Sequence, residues 1–452
     1  MRSFDAIVVG GGEAAGYLAR EWVSLAPKKS LLILGEENVL SYERPALSKG
    51  FLKPSGGARL PGFLVAAGVG GERQDQSWYD RHGVTFKTSS RVEKLDVAEK
   101  KLWTVDGTSY SYKNLVLATG AKALSLSDLR IPGAVFSNVV TLREVSDAER
   151  LVAAIERAKK AKGAAAKAVV VGGGYIGLEV GAALVDNGLN VTILAPEGVF
   201  VPRALDAKLS APYERAFAAR GATVLKGESL AAVVADGGDA DGGASAPPLA
   251  TAVELKSGKR LDADLVVVGV GARPRVDLAE GQLSVLSGPP GGVVVTPHLE
   301  AEGAPGVYAI GDIAAFTLDP ENPDAERVRQ EHVTHARQSA AYVAREILGA
   351  SGAAADDQGP YRYLPFFYSR FFDFSWQLYG TPQGDAIHFE GPGSDGFGAV
   401  WVDGSKRIVA AFLESGTPEQ NAEIRRLVEE HAEVPATLES EGAAAFFRAQ
   451  SS

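Results

Sequence analysis

The sequence predicts an α/β fold with two nested Rossmann-type dinucleotide-binding units and a C-terminal α+β domain. Three observations predict it: a glycine fingerprint near the N-terminus, a second in the middle of the chain, and an aromatic ending that alternates in strand fashion. The first unit opens with an apolar run at residues 5–9, then Gly10, Gly11 and Gly12, then an Ala-rich stretch suited to a helix. In Gly10-x-Gly12-x-x-Ala15 the first glycine allows a tight turn, the second lets a pyrophosphate approach the backbone, and the small third residue lets helix and strand pack closely. A phosphate then meets the N–H groups and dipole of a helix N-terminus. A second strand at 30–34 ends just before Glu36, whose carboxylate can accept bonds from a ribose hydroxyl. A glycine-rich turn without a nucleotide is the alternative for any single match.

The second unit repeats the pattern without substitution. A β-branched run at 168–171 precedes Gly172-x-Gly174-x-x-Gly177, with Tyr175 and Ile176 inside the motif and a helix expected over 176–187. A strand at 190–194 leads to Glu197, about 20 residues past the turn. That carboxylate would bond a 2′-hydroxyl and repel a 2′-phosphate, so NADH is expected over NADPH; Arg203 is the nearest cation that would argue otherwise. Two further apolar strands end in small-residue turns: LVLATG at 115–120, with Ala118, Thr119 and Gly120, and VYAIGD at 307–312, with Gly311 and Asp312.

Boundaries are expected near 121, 287 and 350, giving a first dinucleotide domain of 1–120 and 287–349, a second of 121–286, and a C-terminal domain of 350–452. Residues 158–167, 236–250 and 350–360, dominated by Ala, Gly, Asp, Lys or Pro, read as linkers or surface insertions. Beyond Pro360, strands are expected at 366–372, 375–379, 398–402 and 408–413, followed by helices.

Composition narrows the chemistry. Cysteine is absent from all 452 residues, which excludes disulfides, thiolate metal ligands and a redox-active dithiol. A net charge of −10 favours solubility and argues against a nucleic-acid or anionic-membrane surface. No apolar run has the length of a membrane span, and the first strand begins too early for a leader, so the expectation is a cytoplasmic monomer without membrane or nucleic-acid partners. His332 and His335 share a helix but have no evident third partner, so no metal site is expected.

The order of fingerprint, ATG turn, second fingerprint and GD strand resembles the two-dinucleotide flavoproteins related to glutathione reductase. The resemblance covers residues 4–349 and implies FAD on the first unit, with Asp312 at the ribityl chain, and NAD(P)H on the second. Disulfide reductases of that fold carry a cysteine pair, which this chain lacks. The segment SYERPALSKGFL at 41–52 looks instead like the branch of oxygenase ferredoxin reductases, apoptosis-inducing factor and monodehydroascorbate reductases. In that branch the lysine matching Lys49 lies by the flavin and pairs with the glutamate matching Glu179; a plain turn lysine is the alternative. Arg44 and Gly271 complete the cofactor-binding set that the resemblance implies. The resemblance implies that Glu331 and His332 open a helix against the pyrimidine end of the flavin; a solvated face is the alternative for His332 and His335.

RLPGF at 59–63, GGER at 70–73 with Trp78 and Tyr79, and FYSRFFDFSWQLYG at 367–380 are similar to plant and algal monodehydroascorbate reductases. Ala66 stands where that family commonly has cysteine. The resemblance implies hydride transfer from NADH to FAD, then two one-electron transfers that turn monodehydroascorbate into ascorbate. Arg337 matches the position that holds the anionic acceptor, and Tyr368 the aromatic beside the ring. An NADH-dependent ferredoxin or rubredoxin reductase and a nicotinamide-sensing flavoprotein of apoptosis-inducing-factor type remain alternatives.

Overall fold

The computed structural model describes residues 2–26, 28–66, 70–235, 248–322, 325–349, 358–391 and 396–447. The expected insertions at 236–250 and 350–360 fall mostly outside the described residues. The chain forms two compact units. One comprises Met1–Ala46, Ala58–Lys122 and Ala272–Tyr363; the other comprises Leu47–Gly57, Ala123–Gly271 and Leu364–Ser452.

The first unit is built on a seven-stranded sheet. Its strands run in the order Val84–Lys87, Leu31–Leu34, Arg2–Val9, Ser109–Leu117, Lys101–Thr104 and Val92–Asp96, with Val307–Ala309 also paired to Ser109–Leu117. The central pairings are parallel, with Ile7 between Leu32 and Leu115. Parallel strands covered on both faces need apolar side chains on both, and Ala6, Ile7, Val8, Leu31, Leu32, Ile33, Leu115 and Val116 are fully buried. The helices Glu13–Leu25 and Val333–Gly349 pack on one another, and Ala15, Ala336 and Ala340 in them are buried.

In the second unit a parallel sheet runs in the order Thr223–Lys226, Asn190–Ala195, Lys167–Val171, Leu265–Val268, Val139–Val140. The C-terminal part of this unit is an antiparallel sheet, Phe366–Phe371, Phe374–Gly380, Ile408–Glu414, Phe397–Val402, Asp385–Glu390. The helix Pro418–Glu429 covers it, started by a Thr417–Gln420 capping box with proline at its first position. Buried Tyr213 donates to Glu414 at 2.6 Å, tying the parallel part of the unit to this sheet.

Four local expectations change. Residues 158–162 are not linker but the last turns of the helix Val145–Lys162, because Ala and Lys are good helix formers and Lys159, Lys160 and Lys162 sit well at a helix C-terminus. The chain returns to the first unit at Ala272 rather than near 287: Arg275 N donates to Gly120 O at 2.9 Å, and Arg275 pairs with Glu36 in that unit. The helix expected to open at Glu331 begins at Val333, with His332 just before it. The strand Asp385–Glu390, not anticipated, forms a sheet edge.

Candidate functional site: two dinucleotide turns and two charged clusters

Each fingerprint folds as a turn closed by backbone. Gly10 has φ +121°, and a Cβ there would lie 2.1 Å from Ala118 O, so the ATG strand forms the floor of the first turn. Gly172 has φ +111°, and its Cβ would lie 2.4 Å from Gly269 O. Gly269, which the sequence reading passed over in favour of Gly271, is therefore the floor of the second. Gly271 is exposed at φ +105° and its carbonyl accepts from Leu124 N at 2.9 Å.

The residues present fit two dinucleotides. Gly12 and Gly174 are the N-caps of the helices Glu13–Leu25 and Tyr175–Asp186, and neither helix start receives a side-chain cap. Uncapped first-turn N–H groups need an acceptor, and a phosphate supplies it. Space is left for one: among the described residues a Cβ on Gly12 would meet only Arg44 Nη2 at 3.7 Å, and one on Gly174 only Gly269 O at 3.9 Å.

Around the first turn, Glu36 is exposed and pairs with Arg275 Nη1 at 2.5 Å. Arg44 donates to Glu37 at 3.0 Å and covers the Tyr42 ring. Thr119 Oγ1 donates to Arg275 O at 2.8 Å. Gly311 N donates to Ser339 Oγ at 3.1 Å, Asp312 O accepts from Arg329 at 2.9 Å, and Arg329 also holds Glu331. His332 Nδ1 meets Thr334 Oγ1 at 2.8 Å. His335 is fully buried, stacked on Phe316 with Nδ1 3.0 Å from Tyr361 OH, and burial pulls its pKa down to about 4, so it is neutral.

Also in the first unit, Arg337 is not a lone cation. Its Nη2 reaches Glu43 Oε2 at 2.5 Å and Glu13 Oε1 at 3.2 Å, and its guanidinium lies 4.9 Å from the Tyr17 ring centre. Tyr17 OH donates to Glu43 Oε1 at 2.7 Å. Glu13, Glu43 and Tyr17 were not singled out from sequence. The only hint was a charged residue standing between Gly12 and Ala14 in an otherwise apolar helix opening.

The second unit gathers the other cluster. Glu179, 3% exposed, accepts from Lys49 Nζ at 2.7 Å, from Ser369 Oγ at 2.6 Å and from Ser48 Oγ. Lys49 Nζ stands 5.6 Å from the centre of the Tyr368 ring. The strand Phe366–Phe371 thus presents half-buried Tyr368 and buried Ser369 to one ion pair, while the Tyr175 ring meets Phe367 edge-on at 4.8 Å. Ile176 is half-buried beside Tyr175. Glu197 and Arg203 are exposed, Glu197 on a turn closed by Gly198 N donating to Ala195 O at 3.0 Å. Ser48 and Ser369 carried no sequence signal, because lone serines beside a lysine and a tyrosine are commonplace.

Two glycine turns with uncapped helix starts fit an oxidoreductase that binds two dinucleotides, and a sequence without cysteine gives it no dithiol. Residues 4–340 match the pyridine nucleotide-disulphide oxidoreductase family and residues 364–446 match the monodehydroascorbate reductase 3-like C-terminal domain. A monodehydroascorbate reductase of Solanum lycopersicum is 42% identical over 97% of this chain and 96% of its own. One of Pisum sativum is 41% identical over 94% of each. Among solved structures, the fold is shared with putidaredoxin reductase in its complex with putidaredoxin, at TM-score 0.79 and 23% identity over 95% of this chain and 94% of that one. The ferredoxin reductase for the CYP199A2 system from Rhodopseudomonas palustris gives 0.77 and 25%, over 95% and 100%. The chain belongs to the pyridine nucleotide-disulphide oxidoreductase family and, within it, to the monodehydroascorbate reductases. Its cofactors are FAD and a nicotinamide dinucleotide.

Proposed function

We propose that this enzyme reduces the monodehydroascorbate radical to ascorbate with electrons from NADH. The observation that carries the reading is the near full-length likeness to curated monodehydroascorbate reductases, at 42% and 41% identity. When bound, FAD takes an electron pair from the nicotinamide and releases electrons one at a time, which a radical acceptor requires.

The chain supplies the binding and the electrostatics. The turn at Gly10–Gly12 offers its helix N-terminus to the flavin pyrophosphate, with Ala15, Ala118, Thr119, Gly120 and Asp312 completing the cradle. The turn at Gly172–Gly174 does the same for NADH, and Glu197 meets the adenosine ribose. Glu179, gripped by Ser48 and Ser369, fixes the Lys49 ammonium as a standing positive charge. Arg337 supplies the guanidinium for the anionic acceptor, since it stays charged and offers paired donors to vicinal oxygens.

Anaerobic stopped-flow mixing tests the proposal. Protein reduced by NADH is mixed with ascorbate radical generated in place by comproportionation of ascorbate with dehydroascorbate. Return of the flavin absorbance with consumption of two radicals per flavin is expected. Reoxidation by an iron–sulfur protein but not by the radical would replace this reading with that of a ferredoxin reductase.

A further inference from the structure

Arg337 rests on two buried carboxyl groups that the reaction as outlined does not use. Glu13 is 7% and Glu43 is 6% exposed, and two ionised carboxylates crowded on one cation in a buried site repel each other, which favours a proton on one of them. The same guanidinium nitrogen contacts both. The charged and titratable groups facing the pair are Tyr17 from the helix Glu13–Leu25, Arg44 from the segment that carries Glu43, and Arg337 from the helix Val333–Gly349. With one proton in the pair, Arg337 and the two carboxyls sum to zero charge. Without it they sum to −1.

We propose that Glu13 and Glu43 are a proton-sharing positioning pair that sets the net charge at Arg337, so that the anionic acceptor binds when the pair holds its proton and is repelled when it does not. Which carboxyl keeps the proton follows from the surroundings. Burial, with Glu43 beside it, holds Glu13 protonated well above the usual carboxylate range. Burial also pushes Glu43 upward, but hydrogen bonds from Glu13 and Tyr17 and the charge of Arg337 outweigh it and keep Glu43 ionised. The inference rests on the acceptor role of Arg337 in the function proposed above.

The test is the pH profile of KM for ascorbate radical beside that for an uncharged benzoquinone, in the FAD-loaded enzyme with flavin content measured by absorbance. For wild type, KM for the radical climbs on the alkaline side, approaching about tenfold per pH unit once the pair has lost its proton, while KM for the quinone stays level. Glu13→Gln, which is neutral at every pH, removes the climb; Glu13→Asp, which can still share a proton, restores it. The infrared C=O stretch of a protonated carboxyl group is present in wild type at neutral pH and lost in Glu13→Gln. An alkaline climb unchanged in Glu13→Gln, or equal for radical and quinone, overturns the proposal. An enzyme that reduces no radical at any pH overturns the proposed function and with it the acceptor role, and the infrared band then still decides whether the pair shares a proton.

Discussion

The two dinucleotide turns have the same spacing but different walls. In the second, a Cβ on Gly177 would lie 2.1 Å from Gly172 O, so helix and turn are in contact and nothing larger than glycine fits. In the first, the matching position is Ala15, fully buried, and the tight approach has moved one residue along to Gly16, whose Cβ would meet Ser41 Cβ at 2.8 Å. Charge differs too. The first turn is ringed by ion pairs within its own unit, Glu36 with Arg275, Arg44 with Glu37, and Arg337 with Glu13 and Glu43. The second turn is closed by backbone, with Glu197 exposed at its rim. A cofactor that stays through many turnovers suits a walled site, and a co-substrate that leaves after each one suits an open site.

The largest effect expected from this contrast is at the glycines. Gly10→Ala combines a left-handed φ with a Cβ at 2.1 Å from backbone and should yield colourless or unfolded protein. Gly177→Ala, equally crowded, should instead give folded yellow protein that NADH reduces at least about 100-fold more slowly, since a displacement of about 1 Å at a binding turn costs that much. Ala15→Gly, by contrast, should cost about 1 kcal/mol in thermal unfolding and keep its flavin. Were Gly177→Ala to lose flavin rather than NADH reactivity, the assignment of the two turns would have to be exchanged.

Local signals served the turns well and the charged clusters poorly. The strands Arg2–Val9, Leu31–Leu34, Lys167–Val171 and Asn190–Ala195 were legible because a buried parallel strand must be apolar throughout, and the two glycine turns because their spacing is set by backbone sterics. Gly269 was not legible: its reason is contact with Gly172 across the sheet, which no local pattern records. Ser48, Ser369, Glu13 and Glu43 escaped for the same cause, since a buried polar residue is justified by partners distant in sequence. The edge strand Asp385–Glu390 mixes half-buried and exposed positions and lacks a clean alternation. Lys49 with Glu179, and Tyr368 beside them, came from resemblance rather than from spacing.

The two charged clusters should fail differently. Arg337→Ala strands an ionised Glu43 in a buried site, and a loss of about 3–5 kcal/mol in denaturant unfolding is expected, much of it recovered in Glu43→Gln/Arg337→Ala. Lys49→Met leaves Glu179 with the Ser48 and Ser369 hydroxyls, so the loss should be smaller. Equal losses would mean that the serine grip carries no weight.

Acid should act on the first unit through His335. Its folded pKa is depressed to about 4 from 6.5, so its contribution is fully present above pH 6.5 and is lost as pH falls from there towards 4, where the unfolded chain takes up the proton first. At most about 3 kcal/mol is at stake. His335→Phe should flatten the melting temperature across that window relative to wild type; an identical acid slope in both would assign the loss to other groups.

The smallest effect expected lies at the open rim of the second turn. Glu197 is exposed on a tight turn, so solvent screens its charge and the ribose bonds it offers compete with water. A carboxylate there still prefers a 2′-hydroxyl, which can donate to it, over a 2′-phosphate, which repels it. The preference for NADH should therefore be modest, of the order of tenfold in kcat/KM, or about 1.4 kcal/mol. Glu197→Ala should erase most of it by weakening NADH and strengthening NADPH together, and raised ionic strength should shrink the wild-type preference, since screening acts on exposed charge. Flavin content and the reoxidation rate with ascorbate radical should not move, because they belong to the other turn and to the acceptor site. A selectivity unchanged in Glu197→Ala would shift the discrimination to the backbone of the turn, and a change in flavin content would show that Glu197 also acts on the first turn.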